Sequence, residues 1–191
     1  WAHPTEPVFG FTEAQLDSLP EYMQVQKGAG LKVDSVQIRF GADYLMLQDL
    51  AVVAIIRQNL GKRPIYFSWS DGGYPDQTLG LSPYLVTQGM IRKLMTVPAT
   101  TISDSLVDNP VLGLMDFPRT DYLAWNVYHW RAIARPRPRG WVDPPSSSIL
   151  QLYAVVYRGL AETLRSKGDL PKAALADSIA QAIRVNLQPI H

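Results

Sequence analysis

Residues 69–80, WSDGGYPDQTLG, hold the densest set of side chains in this chain that could do chemistry. Asp71 and Asp76 are two carboxylates in one short run, and such a pair serves as acid and base, or acid and nucleophile, in glycoside hydrolysis once the protein fixes its separation. Spacing inside a loop does not fix it, so the sequence assigns no catalytic residue. Trp69, Ser70, Asp71, Tyr74 and Asp76 are instead candidate ligand-binding residues. Aromatic faces stack on sugar rings, and hydroxyls and carboxylates hydrogen-bond to sugar hydroxyls. Gly72 and Gly73 supply the turn, and the same residue types also build ordinary polar turns for backbone reasons alone.

Other chemistries find little support. There are no cysteines, which removes disulfides, thiolate catalysis and cysteine metal sites and leaves the redox compartment open. The three histidines, His3, His129 and His191, are not spaced as metal pairs; His129 sits among aromatics and reads as a core or rim residue. No G-x-S-x-G elbow, Walker loop or G-x-G-x-x-G fingerprint occurs, so no metal or cofactor is expected. A net charge of +1 disfavours nucleic acid, whose phosphates need clustered positive charge. With 47% hydrophobic and 18% charged residues the chain is a folded globular one, and no apolar run reaches the roughly 18 residues that span a bilayer. It opens on Trp1 in what reads as the middle of a loop, so a piece of a longer protein is expected.

The elements that position the loop are legible around it. Leu47, Leu50, Val53 (or Ala54), Ile56 (or Arg57) and Leu60 recur at helical spacing, Gly61 suits a left-handed residue past the helix end, and Pro64 stops it. Ile65, Tyr66 and Phe67 then read as a buried strand covered on both faces, the second half of a β-α-β crossover. The 69–76 loop thus falls at the C-terminal end of a crossover strand, where open α/β sheets place ligands. Upstream, Thr12 and Gln15 form a capping box for a short helix, and Val36, Ile38 and Phe40 alternate with polar residues as a strand with one wet face. Residues 41–43 are expected to turn straight into the 47–60 helix. Downstream, Leu81–Gln88 reads as a short helix, Met90–Val97 as a strand with helical spacing as the alternative, 98–120 as loop around one strand at Val111–Phe117, and Tyr122–Ile133 as an aromatic helix.

The run ARPRPRGWVDPPSSS favours an extended, solvated, polyproline-like connector. Beyond it, Ile149, Tyr153, Val156, Leu160 and Leu164 mark one helix face and Ala176, Ile179, Ile183 and Leu187 another, with Gly168 as stop and Asp169 as N-cap. This hairpin is tetratricopeptide-like, and a single repeat is too small to stand alone, so it is expected to pack on the rest. The expected fold is α/β, with α+β as the alternative: an α/β domain over 1–134 with an irregular start, a connector over 135–147 and a helical hairpin over 148–191.

The order QNLGKRPIYFS, a glycine-rich turn, LGLSPYLVTQGMIRKLM and a late LAETLRSKGD resembles the soluble C-terminal region of a bacterial family of multi-pass membrane proteins of unknown function, itself similar to protein O-mannosyltransferases of the GT-C class. The resemblance covers residues 44–184 and is most specific over 62–68 and 79–94. In GT-C enzymes the catalytic acid and the lipid-linked donor site belong to transmembrane helices and their first external loops, none of which is present here. The resemblance therefore implies an accessory, extracytoplasmic domain on the periplasmic or cell-surface side, tethered through the parent's transmembrane portion and not catalytic alone. Its partners would be that portion and a glycan or acceptor protein. The alternative is a structural or assembly module, homo-oligomeric through a sheet edge at Val36–Phe40 or the hairpin face. A weaker third reading makes it a hydrolase using Asp71 and Asp76.

Overall fold

The computed structural model describes residues 10–101, 105–138 and 140–187; His3 and His191 lie outside them. Thr12 and Gln15 form the expected capping box: the Thr12 hydroxyl accepts from the Gln15 N–H at 3.3 Å, and the Gln15 side chain accepts from the Thr12 N–H at 2.9 Å. They start helix α1 (Glu13–Asp17). Strand β1 (Tyr22–Gln24) follows, then a hairpin of β2 (Gly30–Val33) and β3 (Val36–Arg39), then β4 (Tyr44–Met46), which returns to pair antiparallel with β1. Val36 and Ile38 are fully buried and Phe40 nearly so, the wet-face alternation read from the sequence. Helix α2 (Leu47–Asn59) ends before Gly61, whose φ of +76° is the left-handed conformation a side chain would resist. The 41–43 segment does not turn directly into this helix. It leads into β4, three residues too few to show a period.

The mixed α/β class holds, but α2 is not a parallel crossover. β5 (Ile65–Ser68) lies in a different sheet from β4 and pairs antiparallel with a later strand. Nor is β5 covered on both faces: Ile65 and Phe67 are half-buried while Tyr66 and Ser68 are exposed, because it forms an edge. The apolar run that suggested a central strand includes a tyrosine whose phenol faces water.

Beyond β5 come a 3₁₀ turn at Trp69–Asp71, the one-turn helix α3 (Tyr74–Gln77) and a second 3₁₀ turn at Ser82–Tyr84. The helix expected over 81–88 is that turn plus a strand, β6 (Leu85–Gln88), in which Leu85, Val86 and Thr87 are all buried. Two β-branched residues inside a covered sheet outweigh a helical spacing. β7 (Ile91–Leu94) is the expected strand. β8 (Leu106–Asn109) and β9 (Gly113–Asp116) form a hairpin where one strand was expected. The sheet order is β5-β7-β6-β9-β8, with β6 and β9 parallel at Thr87 and Met115.

The expected aromatic helix over 122–133 is broken. α4 (Phe117–Tyr122) runs into a π turn at Leu123–Val127, Tyr128 is extended, and α5 (Trp130–Ala134) follows. The break lets the Tyr128 hydroxyl accept from the Met90 N–H at 3.1 Å, tying the segment to the β6–β7 turn. α6 (Pro144–Ser166) starts inside the proline-serine run, with Asp143 as N-cap and prolines in the first turn, where a missing N–H costs nothing. α7 (Leu170–Asn186) starts at the expected Asp169 cap and packs along α6. Arg135 is extended, and the stretch it opens is tethered. Asn186 accepts from the Arg137 N–H and donates to the Ile133 and Arg135 carbonyls, and the Trp141 indole N–H donates to the Asn186 carbonyl.

Two apolar clusters result. One joins Ile38, Leu45, Ile56, Leu79, Leu81 and Leu85 under α2 and the sheet. The other joins Ala124, Tyr157, Leu160, Ala176 and Ile183 of the helices, with Phe117 and Trp125 packed against it.

Candidate functional site

The 69–76 loop is built around a residue outside it. Arg92, on β7 and only 7% exposed, sends its guanidinium between the two candidate carboxylates. Its Nη2 donates to Asp71 Oδ1 at 2.9 Å and its Nη1 to Asp76 Oδ2. The same guanidinium lies over the Trp69 ring, 5.0 Å from the ring centre. Asp71 also accepts from the Gly73 N–H at 3.2 Å, and Asp76 from the Ser82 hydroxyl at 2.8 Å. Gly72 and Gly73, both at positive φ, bend the chain so that both acids reach one cation.

Three of the five sequence candidates, Trp69, Asp71 and Asp76, therefore meet at Arg92. Ser70 does not: it is exposed, its hydroxyl 2.7 Å from that of Ser68. Tyr74 points the other way, donating its hydroxyl to Asp49 Oδ1 at 2.8 Å while Asp49 Oδ2 accepts from the Met46 N–H at 2.7 Å. Burial first, then the Asp49 hydrogen bond and charge, push the Tyr74 phenol well above its ordinary pKa. So Tyr74 locks the loop to the start of α2.

The loop's other anchors are backbone. The Arg39 N–H donates to the Leu79 carbonyl and the Gly41 N–H to Thr78, each at 3.0 Å, so 78–80 runs beside the end of β3. A Cβ on Gly41 would sit 1.8 Å from the Gln77 carbonyl oxygen, which explains a glycine there at ordinary φ. α6 packs over the 69–71 turn.

Asp71 and Asp76 each pair with a different nitrogen of one guanidinium, so Arg92 offsets the charge of both loop carboxylates. Three buried polar atoms of the cluster, Trp69 Nε1, Arg92 Nε and Asp71 Oδ2, have no protein partner. Two are donors and one is an acceptor, the set that a hydroxyl or a water satisfies. Sequence reasoning missed Arg92, Asp49 and Ser82. No local signal marked Arg92: β7 reads Ile-Arg-Lys-Leu, and only the fold shows that Arg92 is buried against acids while Lys93 beside it is half-buried. Among the described residues no group of histidines and carboxylates could hold a metal ion. His129 is exposed on the rim of a cavity of about 320 Å³ lined by 125–132.

The fold and site define a mixed α/β domain with a helical pair, whose most polar loop is closed on a buried arginine. The chain belongs to the family of TMEM260-associated domain 2, whose family model matches residues 16–111. That span holds the first core, the loop and Arg92, and stops before the helical pair. No curated protein and no solved structure matches the chain. No helix among the described residues is long and apolar enough to cross a membrane.

Proposed function

We propose that this chain is an accessory, extracytoplasmic recognition domain of a TMEM260-like, glycosyltransferase-like membrane protein, and that it binds a glycan or acceptor and does not catalyse transfer itself. The observation that carries the reading is the Arg92 bridge: Asp71 and Asp76 both serve one cation, which suits a rigid binding loop and not a pair of carboxylates sharing a proton. The exposed Ser68–Ser70 hydroxyl pair beside Trp69 offers donors and acceptors to a polyol. Titration of the chain with mannosides and acceptor peptides, followed by tryptophan fluorescence and amide spectra, is expected to perturb Trp69 and the 68–73 amides saturably. Unchanged spectra across both ligand sets would remove the support for recognition.

The runner-up, an assembly module, has a specific observation in its favour. Tyr22 and Tyr44, 64% and 52% exposed, stand with Met46 on one face of the β1–β4 pair. Sedimentation equilibrium decides it: a monomer up to high concentration speaks against self-association. The Val36–Phe40 edge named in the sequence reading is mostly buried and less suited to that role.

A further inference from the structure

The arginine-proline stretch belongs neither to the 69–76 loop nor to the 16–111 span that the family model matches. Residues 122–138 hold three arginines, Arg131, Arg135 and Arg137, and no aspartate or glutamate, while the rest of the chain holds 15 basic and 17 acidic residues. The two acids that bracket the stretch are engaged elsewhere. Asp121 accepts from Lys172 Nζ at 2.7 and 2.8 Å and from the Trp125 indole N–H at 2.9 Å, and Asp143 caps α6 through the Ser146 N–H at 3.0 Å. Among the described residues no carboxylate pairs with the three guanidiniums.

Contacts gather these side chains into one patch. Arg137 Nη2 reaches back to the Ala132 carbonyl at 3.1 Å, which sets its guanidinium against the residue after Arg131. Arg131 lies over the Trp130 ring, 4.4 Å from its centre, and Arg137 over the Trp141 ring at 4.6 Å. The Trp141 indole N–H and the Arg137 N–H both donate to Asn186 of α7, so the patch has a fixed base. Arg131 and Arg135 are exposed, and Val127, 47% exposed, lines one cavity with Trp130 and Arg131. Arginines beside indoles and an exposed aliphatic side chain suit a lipid headgroup layer, where aromatic rings settle at the interface and cations meet anionic headgroups. An acidic peptide is served less well. Pro136 and Pro138 have no N–H and that of Arg137 is spent on Asn186 Oδ1 at 3.2 Å, so 136–138 offers no donor for strand addition.

We infer that the face formed by Trp130, Arg131, Arg135, Arg137 and Trp141 docks on an anionic phospholipid bilayer. It shares no residue with the 69–76 loop, so it stands or falls apart from glycan recognition. In the test, the full chain is floated with phosphatidylcholine vesicles with and without phosphatidylserine, at low and at raised salt. Flotation only with phosphatidylserine, falling as salt rises, is expected. Arg131→Ala/Arg135→Ala removes two exposed side chains that have no hydrogen-bond partner among the described residues, and should weaken binding about thirtyfold, the effect of two charges near the membrane surface. Lys27→Ala/Lys32→Ala lowers the net charge equally at two exposed sites elsewhere and should leave binding unchanged. An unchanged melting temperature confirms that both variants fold. No flotation with phosphatidylserine, or equal weakening in both double variants, overturns the inference. Binding to soluble polyglutamate without flotation also overturns it, in favour of an acidic protein partner.

Discussion

At the scale of single residues, Arg92 decides what the 69–76 loop is. Arg92→Met keeps the bulk but leaves Asp71 and Asp76 as two unpaired, partly buried carboxylates, so it should cost about 2–4 kcal/mol, less than a fully buried triad because Asp76 retains some exposure. Urea unfolding measures it, and a loss below about 0.5 kcal/mol would mean that the bridge is only a surface ion pair. The tyrosines give a pH prediction. Burial raises the phenols of Tyr74, Tyr128 and Tyr157, helped in Tyr74 by Asp49 and opposed in Tyr128 by the Met90 N–H. In the unfolded chain they release protons near pH 10, whereas the folded chain holds them longer. The unfolded state then binds fewer protons, so stability is intact below about pH 10 and falls as pH rises through the raised folded values. Urea midpoints at pH 8 and at strongly alkaline pH test this, and Tyr157→Phe should shrink the difference. The loop's candidates were legible from residue type. Their partners were not, because Arg92, Asp49 and Ser82 arrive from other elements and nothing local in the sequence aims a side chain.

Elements with a long period were legible and those fixed by tertiary pairing were not. The faces of α6 and α7, the Thr12 box, the Asp169 cap and Gly61 follow from local chemistry. β6 and the π turn do not: the first is a strand because both its faces are covered, and the second interrupts a helix so that Tyr128 can reach Met90. Gly159 shows how an element's position depends on one missing atom. It lies in α6 where that helix crosses the β8–β9 turn, and a Cβ there would stand 2.6 Å from Leu112 Cγ and 3.1 Å from Asn109 Oδ1. Alanine normally improves a helix interior by about 1 kcal/mol over glycine. Here Leu112 is buried and has no room to retreat, so Gly159→Ala should instead destabilise by about 1–3 kcal/mol, the cost of overpacking. A stabilised variant in urea unfolding would show that α6 slides freely on the sheet.

At the scale of the molecule, the family match and the helical pair are different parts of the chain, and the question is whether they fold as one. Asn109 carries the link. It is 2% exposed, donates its amide to the Gly159 carbonyl at 2.7 Å and to the Thr163 hydroxyl at 2.8 Å, and accepts from the Val111 and Leu112 N–H groups at 2.9 Å each. Its full hydrogen-bonding capacity thus joins the β8–β9 turn to the middle of α6, and the Thr87 hydroxyl extends the tie to β6 through the Leu112 carbonyl. A sequence reader sees only an asparagine before a proline, an ordinary turn former. Replacing it with alanine strands the buried Leu112 N–H and the half-buried Val111 N–H and should cost about 2–4 kcal/mol. The sharper expectation concerns cooperativity. With Asn109 present, denaturant midpoints from amide exchange in β6–β7 and in α7 should coincide, since α6, a wall of the helical cluster, also packs on β8 and on the Trp69–Asp71 turn. In Asn109→Ala they should separate, the sheet cluster and the helical cluster then unfolding as distinct units. If the variant is weakened but both sets of amides still open together, Asn109 is a local turn-builder, and the coupling runs instead through the packing of α6 on the Trp69–Asp71 turn.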